Sequence, residues 1–292
     1  MSNYCGVIMA GGNGTRLFPL TRAVNKHLLP VYDKPMIFYP LSTLMIAGIR
    51  RIAIVTRSQD RLIYEELLGN GENLGITLDY LTQDQAKGIP DGYIVAADFI
   101  AGDGVAMILG DNILLGQGLG QTLAQATNLN GAQIFAFPVT NPHDYGVVKI
   151  DSKTGAVMDI VEKPKDFISN LAIPGLYFTD NRAVEFAREI KTSARGELEI
   201  TDILRRYLDE GSLRVTSFRR GIGWMDAGSI DSLYAASELV QVLQKRQGLS
   251  FASPEEIAWR NRWISDSDLS KAATRHSGTT YGKYLEKLLH SN

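Results

Sequence analysis

The sequence predicts an α/β fold whose sheet is parallel first and mixed later, closed by a helical C-terminal extension. Three observations lead there. Short apolar runs alternate with amphipathic stretches, the pattern of buried strands crossed over by helices. A glycine-rich turn directly follows the first apolar run. Residues 241–292 are helical in pattern and hold no strong strand run.

Residues 4–10 read as a buried strand, 40–47 as a short helix stopped by Gly48, and 51–56 (RIAIVT) as a second strand. A helix at 60–68 halts before Gly69, strands follow at 77–82 and 105–109, and a helix at 118–128 precedes a strand at 133–138. The rhythm then changes. Residues 146–151 and 157–162 alternate apolar and polar side chains around Ser152-Lys153-Thr154-Gly155, a hairpin signature. A strand at 176–179 leads to a helix at 181–191 with Asp180 or Asn181 as its cap. No internal repeat, low-complexity segment or Pro/Gly/Ser linker interrupts the chain.

The chain has 292 residues, 45% of them hydrophobic and 21% charged, ordinary values for a globular protein with a buried core. A net charge of −2 excludes a global field for nucleic acid or acidic membrane, so any functional cation acts locally. No run approaches the ~18 apolar residues of a membrane span. The N-terminus shows no basic segment followed by a long apolar one, and a cytoplasmic location is expected. Cys5 is the only cysteine, which rules out an internal disulfide and a cysteine-based metal site. His27, His143, His276 and His290 lack metal-ligand spacing and are left out of catalysis.

The turn GGNGTRLFPLT (11–21) carries the first chemical signal. Gly11, Gly12 and Gly14 let backbone amides approach an anion closely, and Thr15 and the planar fork of Arg16 complete a phosphate-binding set. It is not a Walker loop, because no Gly-Lys-Ser/Thr follows at the required spacing. Nor is it the dinucleotide fingerprint, whose third glycine falls on Leu17. The same residues also read as a tight strand-to-helix turn with a surface arginine. Lys26 by itself reads as a solvated lysine; beside the loop it is a candidate for neutralising triphosphate charge.

Two carboxylates stand out. Asp111 follows the strand at 105–109, at the carboxyl end where open α/β sheets place ligands. Asp226 follows Trp224-Met225. Magnesium takes oxygen ligands, usually one or two carboxylates with substrate phosphates and water. Alone, Asp111 reads equally as a turn or cap residue, and Asp226 more readily so.

The segments GGNGTRLFPLT and KHLLPVYDKPMIFYPLSTLMIAGIR, then in order LGDNILLG, YGVV, EKP, GLYF, SARGELEITDI, GWMDAGS, RQGL and PEEIAWR, resemble the glucose-1-phosphate thymidylyltransferases of the sugar nucleotidyltransferase family. The similarity runs nearly the whole length. It implies a three-layer α/β/α, Rossmann-like nucleotide-diphospho-sugar transferase fold with a mixed, mostly parallel sheet, and usually a homotetramer. It implies a catalytic domain over 1–240, with nucleotide- and sugar-binding parts, and a helical extension over 241–292 for regulatory or oligomer contacts. The implied activity is magnesium-dependent transfer of a nucleotidyl group from dTTP to glucose 1-phosphate, giving dTDP-glucose and pyrophosphate by direct in-line displacement at the α-phosphorus. Asp111 and Asp226 match the family's magnesium ligands. Arg16, Lys26, Asp111, Lys163 and Asp226 form the implied catalytic set. Gln83 and Gly88 match nucleotide-binding positions, with Gln83 on the pyrimidine base. Lys163 matches the lysine on the sugar phosphate, Glu162 the glutamate on sugar hydroxyls, and Tyr145, Gly146, Ile173 and Tyr177 further sugar-pocket positions. Gly116, Glu256, Ile257 and Arg260 match a regulatory nucleotide site at a subunit interface. Arg195 to Glu199, before a helix, receives no catalytic role.

The chain departs from the family pattern twice. Where Gly-Leu-Ala-Gln-Ala is usual, it has Gly88-Ile89-Pro90-Asp91-Gly92, which bears on base or sugar choice. The same chemistry with UTP, or with an amino- or deoxy-sugar phosphate, is therefore the alternative reading; a sensor without catalysis is the remote one. Where Phe-Tyr-Gly is usual, it has Leu114-Leu115-Gly116. Losing an aromatic surface weakens base stacking by ~1–3 kcal/mol. Product feedback weaker than the family's is thus expected, and strong non-competitive inhibition by dTDP-rhamnose would count against it.

Overall fold

The computed structural model describes residues 4–85, 87–127 and 130–290. Strand β1 (Tyr4–Met9) runs straight into the glycine-rich turn. The short strands β2 (Pro30–Val31) and β3 (Lys34–Pro35) make a small hairpin before helix α1 (Phe38–Ile46). Then come β4 (Arg51–Thr56), α2 (Arg61–Leu68), β5 (Thr77–Thr82), the short helices α3 (Asp91–Val95) and α4 (Ala97–Ile100), and β6 (Gly104–Leu109). These four long strands are mutually parallel in the order β6-β1-β4-β5.

Beyond β6 the sheet turns mixed, as the change of rhythm predicts. Next along the chain are β7 (Asn112–Gly116), α5 (Leu119–Ala124) and β8 (Ala132–Pro138). Strands β9 (Gly146–Ile150) and β10 (Val157–Glu162) form the expected antiparallel hairpin, followed by β11 (Leu171–Ala172) and β12 (Leu176–Thr179). Strand β12 pairs antiparallel with both β6 and β8, joining the two halves into one sheet. Helices α6 (Arg182–Glu189) and α7 (Ile200–Asp209) precede β13 (Leu213–Ser217), which lies parallel to β8. Strand β14 (Ile222–Asp226) leaves the main sheet and pairs antiparallel with β7. Helices α8 (Ile230–Gln247), α9 (Pro254–Arg260), α10 (Asp266–Arg275) and α11 (Thr280–His290) close the chain.

The two-residue period of the strands sends successive side chains to opposite faces. Ile8, Ile52, Ile54 and Ile108 point one way, onto Leu41 and Leu44 of α1 and Tyr64 of α2. Val7, Val55, Val105 and Met107 point the other way, onto Tyr93 of α3, Ala183 of α6 and Ile203 of α7. All of these side chains are buried, and burying one Leu- or Ile-sized side chain contributes about 1.5–3 kcal/mol. The result is a sheet between two helical layers. The C-terminal helices are not detached, since Ala258 of α9 and Ile264 enter the first of these cores.

Three expected elements differ in extent by two residues or more. The first helix begins at Phe38 rather than 40. The helix expected at 118–128 is α5 alone; Thr127 Oγ1 donates to the Ala124 carbonyl at 3.1 Å and closes a turn there, and Asn128 lies outside the described residues. The helix expected at 181–191 stops at Glu189 because Ile190 is extended. At its start, Asp180 Oδ1 accepts from the Arg182 amide at 3.1 Å. Strands β7, β13 and β14 carry no sequence signal strong enough to have been expected.

Candidate active site

The glycine-rich turn does two separate jobs. Gly11 and Gly12 line an open cleft of about 310 Å³ together with Arg16, Lys26, Gln83 and Gly88. Gly14 instead sits in the left-handed region at φ +60°, where a Cβ would lie 3.1 Å from both Lys26 Cβ and the Thr21 methyl. Only glycine takes that conformation without strain. Gly14 thus starts the 3-10 turn Thr15–Leu17, which projects Arg16 into the cleft. Neither Gly14 nor Thr15 lines the cleft.

Lys26 is held from below. Asn25 is buried; its Oδ1 accepts from the His27 amide at 3.0 Å and its Nδ2 donates to the Ala10 carbonyl at 3.1 Å, which fixes the turn against the end of β1. The Lys26 ammonium forms an ion pair with Asp111, both largely buried. His27 lies buried beneath them, and burial, with the Lys26 charge second, pushes its imidazole down to about 3, so it stays neutral. For Asp111, burial works hardest against the charged form, but the charge and hydrogen bond of Lys26 and the other neighbours, the Asn112 hydrogen bond among them, together outweigh it and hold the carboxyl well below the usual carboxylate range.

The two aspartates meet because β7 and β14 pair. Asp226 stands opposite Asn112 in that ladder, and the Ala227 amide donates to the Asp111 carbonyl at 2.9 Å. Burial first, and the neighbouring Asp111 second, raise the Asp226 carboxyl. Its Oδ1 is buried with no hydrogen-bond partner. An unpartnered carboxylate oxygen next to a second carboxylate is electrostatically unfavourable until a cation joins it. That is the chemistry of a magnesium site completed by substrate oxygens and water. Among the described residues no group of three or more His, Cys, Asp or Glu side chains could hold a metal by itself.

A second cavity of about 190 Å³ opens beside the first. Tyr145, Gly146, Glu162, Lys163, Ile173 and Tyr177 all line it, each brought there by the β9–β10 hairpin, β11 or β12. Lys163 has φ +40°, a strained conformation for a side chain with a Cβ, and its amide donates to the Tyr145 carbonyl at 3.0 Å. The kink ends β10 and turns the lysine toward the cavity. Glu162 is raised by burial and by the nearby Glu199, and Arg195 faces it at 3.6 Å. Arg16, Ile89, Leu109, Asp111 and Glu197 line both cavities, so the two are one trough with a shared middle.

Several residues of this trough carried no sequence signal for the role they take. Asn112 Oδ1 accepts from the Gly175 amide at 3.0 Å and from Trp224 Nε1 at 2.6 Å, which clamps β7, β12 and β14 around Asp111. Trp224 meets Tyr145 edge to face at 5.0 Å. Arg195 and Glu199 line the sugar-side wall, and Ser193 Oγ donates to Glu199 at 2.6 Å. Gly88, at φ +106°, leaves no room for a Cβ, which would fall 2.1 Å from the Leu198 carbonyl oxygen. That contact ties the segment after Gln83 to the Arg195–Glu199 segment across the trough.

The candidate regulatory residues lie elsewhere. Gly116 lines a separate cavity of about 180 Å³ with Leu114, Leu115 and Phe251. Glu256, Ile257 and Arg260 are on α9 and do not line it; Glu256 accepts from Tyr284 at 2.6 Å and from Arg260 at 2.7 Å.

Known proteins are close to this chain in sequence. The nucleotidyl transferase family matches residues 5–242. A glucose-1-phosphate thymidylyltransferase of Neisseria meningitidis serogroup A is 50% identical over 285 residues, 97% of this chain and 99% of that protein. One from Mycobacterium tuberculosis is 48% identical over 98% of this chain and 99% of its own length. A solved Bacillus anthracis structure, to which a glucose-1-phosphate thymidylyltransferase identity is ascribed and which holds a sucrose, superposes with a TM-score of 0.76 at 35% identity, covering 87% of this chain and 99% of that one.

Proposed function

Because this chain belongs to the nucleotidyl transferase family, we propose that it transfers a thymidylyl group from dTTP to glucose 1-phosphate, releasing pyrophosphate and dTDP-glucose. The observation that carries the proposal is the single trough with Arg16 and Asp111 at its middle, shared by two cavities of different chemistry. A site that joins two polyanions needs their reacting ends side by side and their repulsion cancelled.

The nucleotide end is lined by glycine backbone, Arg16, Lys26 and Gln83, and in this reading the last meets the base. The sugar end offers Glu162 to hydroxyls and Lys163 to the phosphate. Glucose 1-phosphate is already ionised near neutral pH, so the attack needs orientation more than a general base. In this reading its phosphate oxygen displaces pyrophosphate directly from the α-phosphorus, with Arg16 taking up charge at the junction. Magnesium would be held by Asp111 and Asp226 and would neutralise triphosphate charge there. The orphaned Asp226 oxygen supports that assignment. No helix among the described residues is long and apolar enough to cross a membrane, which fits the proposed cytoplasmic setting. Ile230, Tyr234, Leu239 and Val242 leave apolar surface exposed on α8, which supports self-association, and we propose the homotetramer.

The test is a pyrophosphate-release assay with magnesium that crosses dTTP, UTP, CTP, GTP and ATP against several sugar 1-phosphates. Preference for dTTP with glucose 1-phosphate is expected. Preference for another pair would keep the chemistry and move the substrate. No turnover with any pair would leave a sensor.

A further inference from the structure

The segment that departs from the family pattern carries a hydrogen bond of its own. Gln83 Nε2 donates to Asp91 Oδ2 at 2.6 Å, and both residues are buried, at 8% and 9% exposure. Both ends of this bond are on hydrogen-bonded backbone. The Gln83 amide donates to the Thr56 carbonyl at 2.8 Å, at the end of β4. Asp91 opens α3, where the Gly92 and Tyr93 amides close turns onto Ile89 and Pro90 at 3.0 Å each. Gly92 itself packs against the Met9 side chain, whose sulfur is 2.3 Å from where a Cβ would stand.

A carboxylate offers only acceptors, so it dictates which end of the amide faces it. With one N–H committed to Asp91, Gln83 cannot turn over without setting its carbonyl oxygen against a carboxylate. The Oε1 atom is correspondingly found over Gly11, 3.3 Å from where a Cβ would stand, and both residues line the nucleotide cleft. Among the described residues, Gln83 is the only amide side chain lining that cleft. The edge it offers a ligand is one acceptor, Oε1, next to one remaining N–H donor.

We propose that Asp91 is a positioning residue for base choice: by locking the Gln83 amide it selects, among pyrimidines, those that present an N3–H donor beside an O4 acceptor. Thymine and uracil match that edge. Cytosine presents N3 as an acceptor beside an N4 donor, and only an inverted amide could meet it. The locked amide faces cytosine with acceptor against lone pair and donor against donor, the arrangement that discriminates most strongly between analogues.

This rests on the base lying at Gln83 in the proposed function, so the test reads nucleotide binding alone, without sugar phosphate. Calorimetric Kd values for dTTP and dCTP with magnesium are compared in the wild type, in Asp91→Asn, whose amide accepts or donates, and in Asp91→Ala. The wild type is expected to favour dTTP by at least about a hundredfold, and both variants to lose at least about tenfold of that ratio. Selective binding without turnover would retain this inference and sink only the proposed reaction. An unchanged ratio in folded variants, parallel weakening of both nucleotides, or no dTTP preference in the wild type would overturn it.

Discussion

Asp111→Asn is expected to lower kcat by at least about a thousandfold, ~4 kcal/mol of transition-state stabilisation, while the protein still folds. Asparagine keeps the shape of the side chain and its capacity to accept from Asn112, now 3.1 Å from Asp111 Oδ1. It removes the charge that pairs with Lys26 and that stands beside Asp226. Two effects on stability then oppose each other. Breaking a buried ion pair by neutralising one partner commonly costs ~3–5 kcal/mol, while relief of repulsion on Asp226 offsets part of it. Catalysis has no such compensation, because one of the two carboxylates proposed to hold magnesium loses its charge and Lys26 is left without its partner. Pyrophosphate release measured across a magnesium titration, next to a circular-dichroism melt, checks both halves. Turnover within about tenfold of the wild type, still responsive to magnesium, would remove Asp111 from the metal site.

Lys163→Ala is expected to cut kcat/KM for glucose 1-phosphate by about a hundredfold while the KM for dTTP changes by less than about threefold, since a charge-assisted contact to one substrate is lost and none to the other. Its position favours such selectivity. Lys163 lines the sugar-side cavity only, whereas Arg16 lines both. The main-chain kink at Lys163 complicates the substitution little, because alanine meets the same left-handed penalty that lysine already does. Steady-state kinetics varying each substrate in turn give the split. A loss confined to dTTP would put the lysine on the wrong end of the trough.

Much of the architecture could be read from the chain. RIAIVT is apolar, β-branched and bounded by turn residues, and β4 and β5 begin and end where that pattern does. The hairpin of β9 and β10 was legible from alternation around Ser152-Lys153-Thr154-Gly155. Strands β7 and β14 were not, because each is short and its partner lies about a hundred residues away, as the Trp224–Asn112 bond shows. Local pattern has no access to that pairing. Yet it is the pairing that brings Asp111 and Asp226 together, so the sequence supplied the two carboxylates and not their meeting. Asp91 was legible as an anomaly, and only packing reveals that its carboxylate lies against Gln83.

The close pass of Gly88 over the Leu198 carbonyl has an evolutionary side. Every missense change of a glycine codon adds at least a Cβ, and here that atom would fall 2.1 Å from a backbone oxygen. Backbone, unlike the tip of a flexible side chain, cannot be nudged aside cheaply. Position 88 should therefore be as closed to drift as the aspartates, although it brings no functional group to the reaction. Invariance there would record the width of a gap between two loops, and a mutational survey scored on turnover alone would not separate that spacing from a direct role in the cleft that Gly88 also lines.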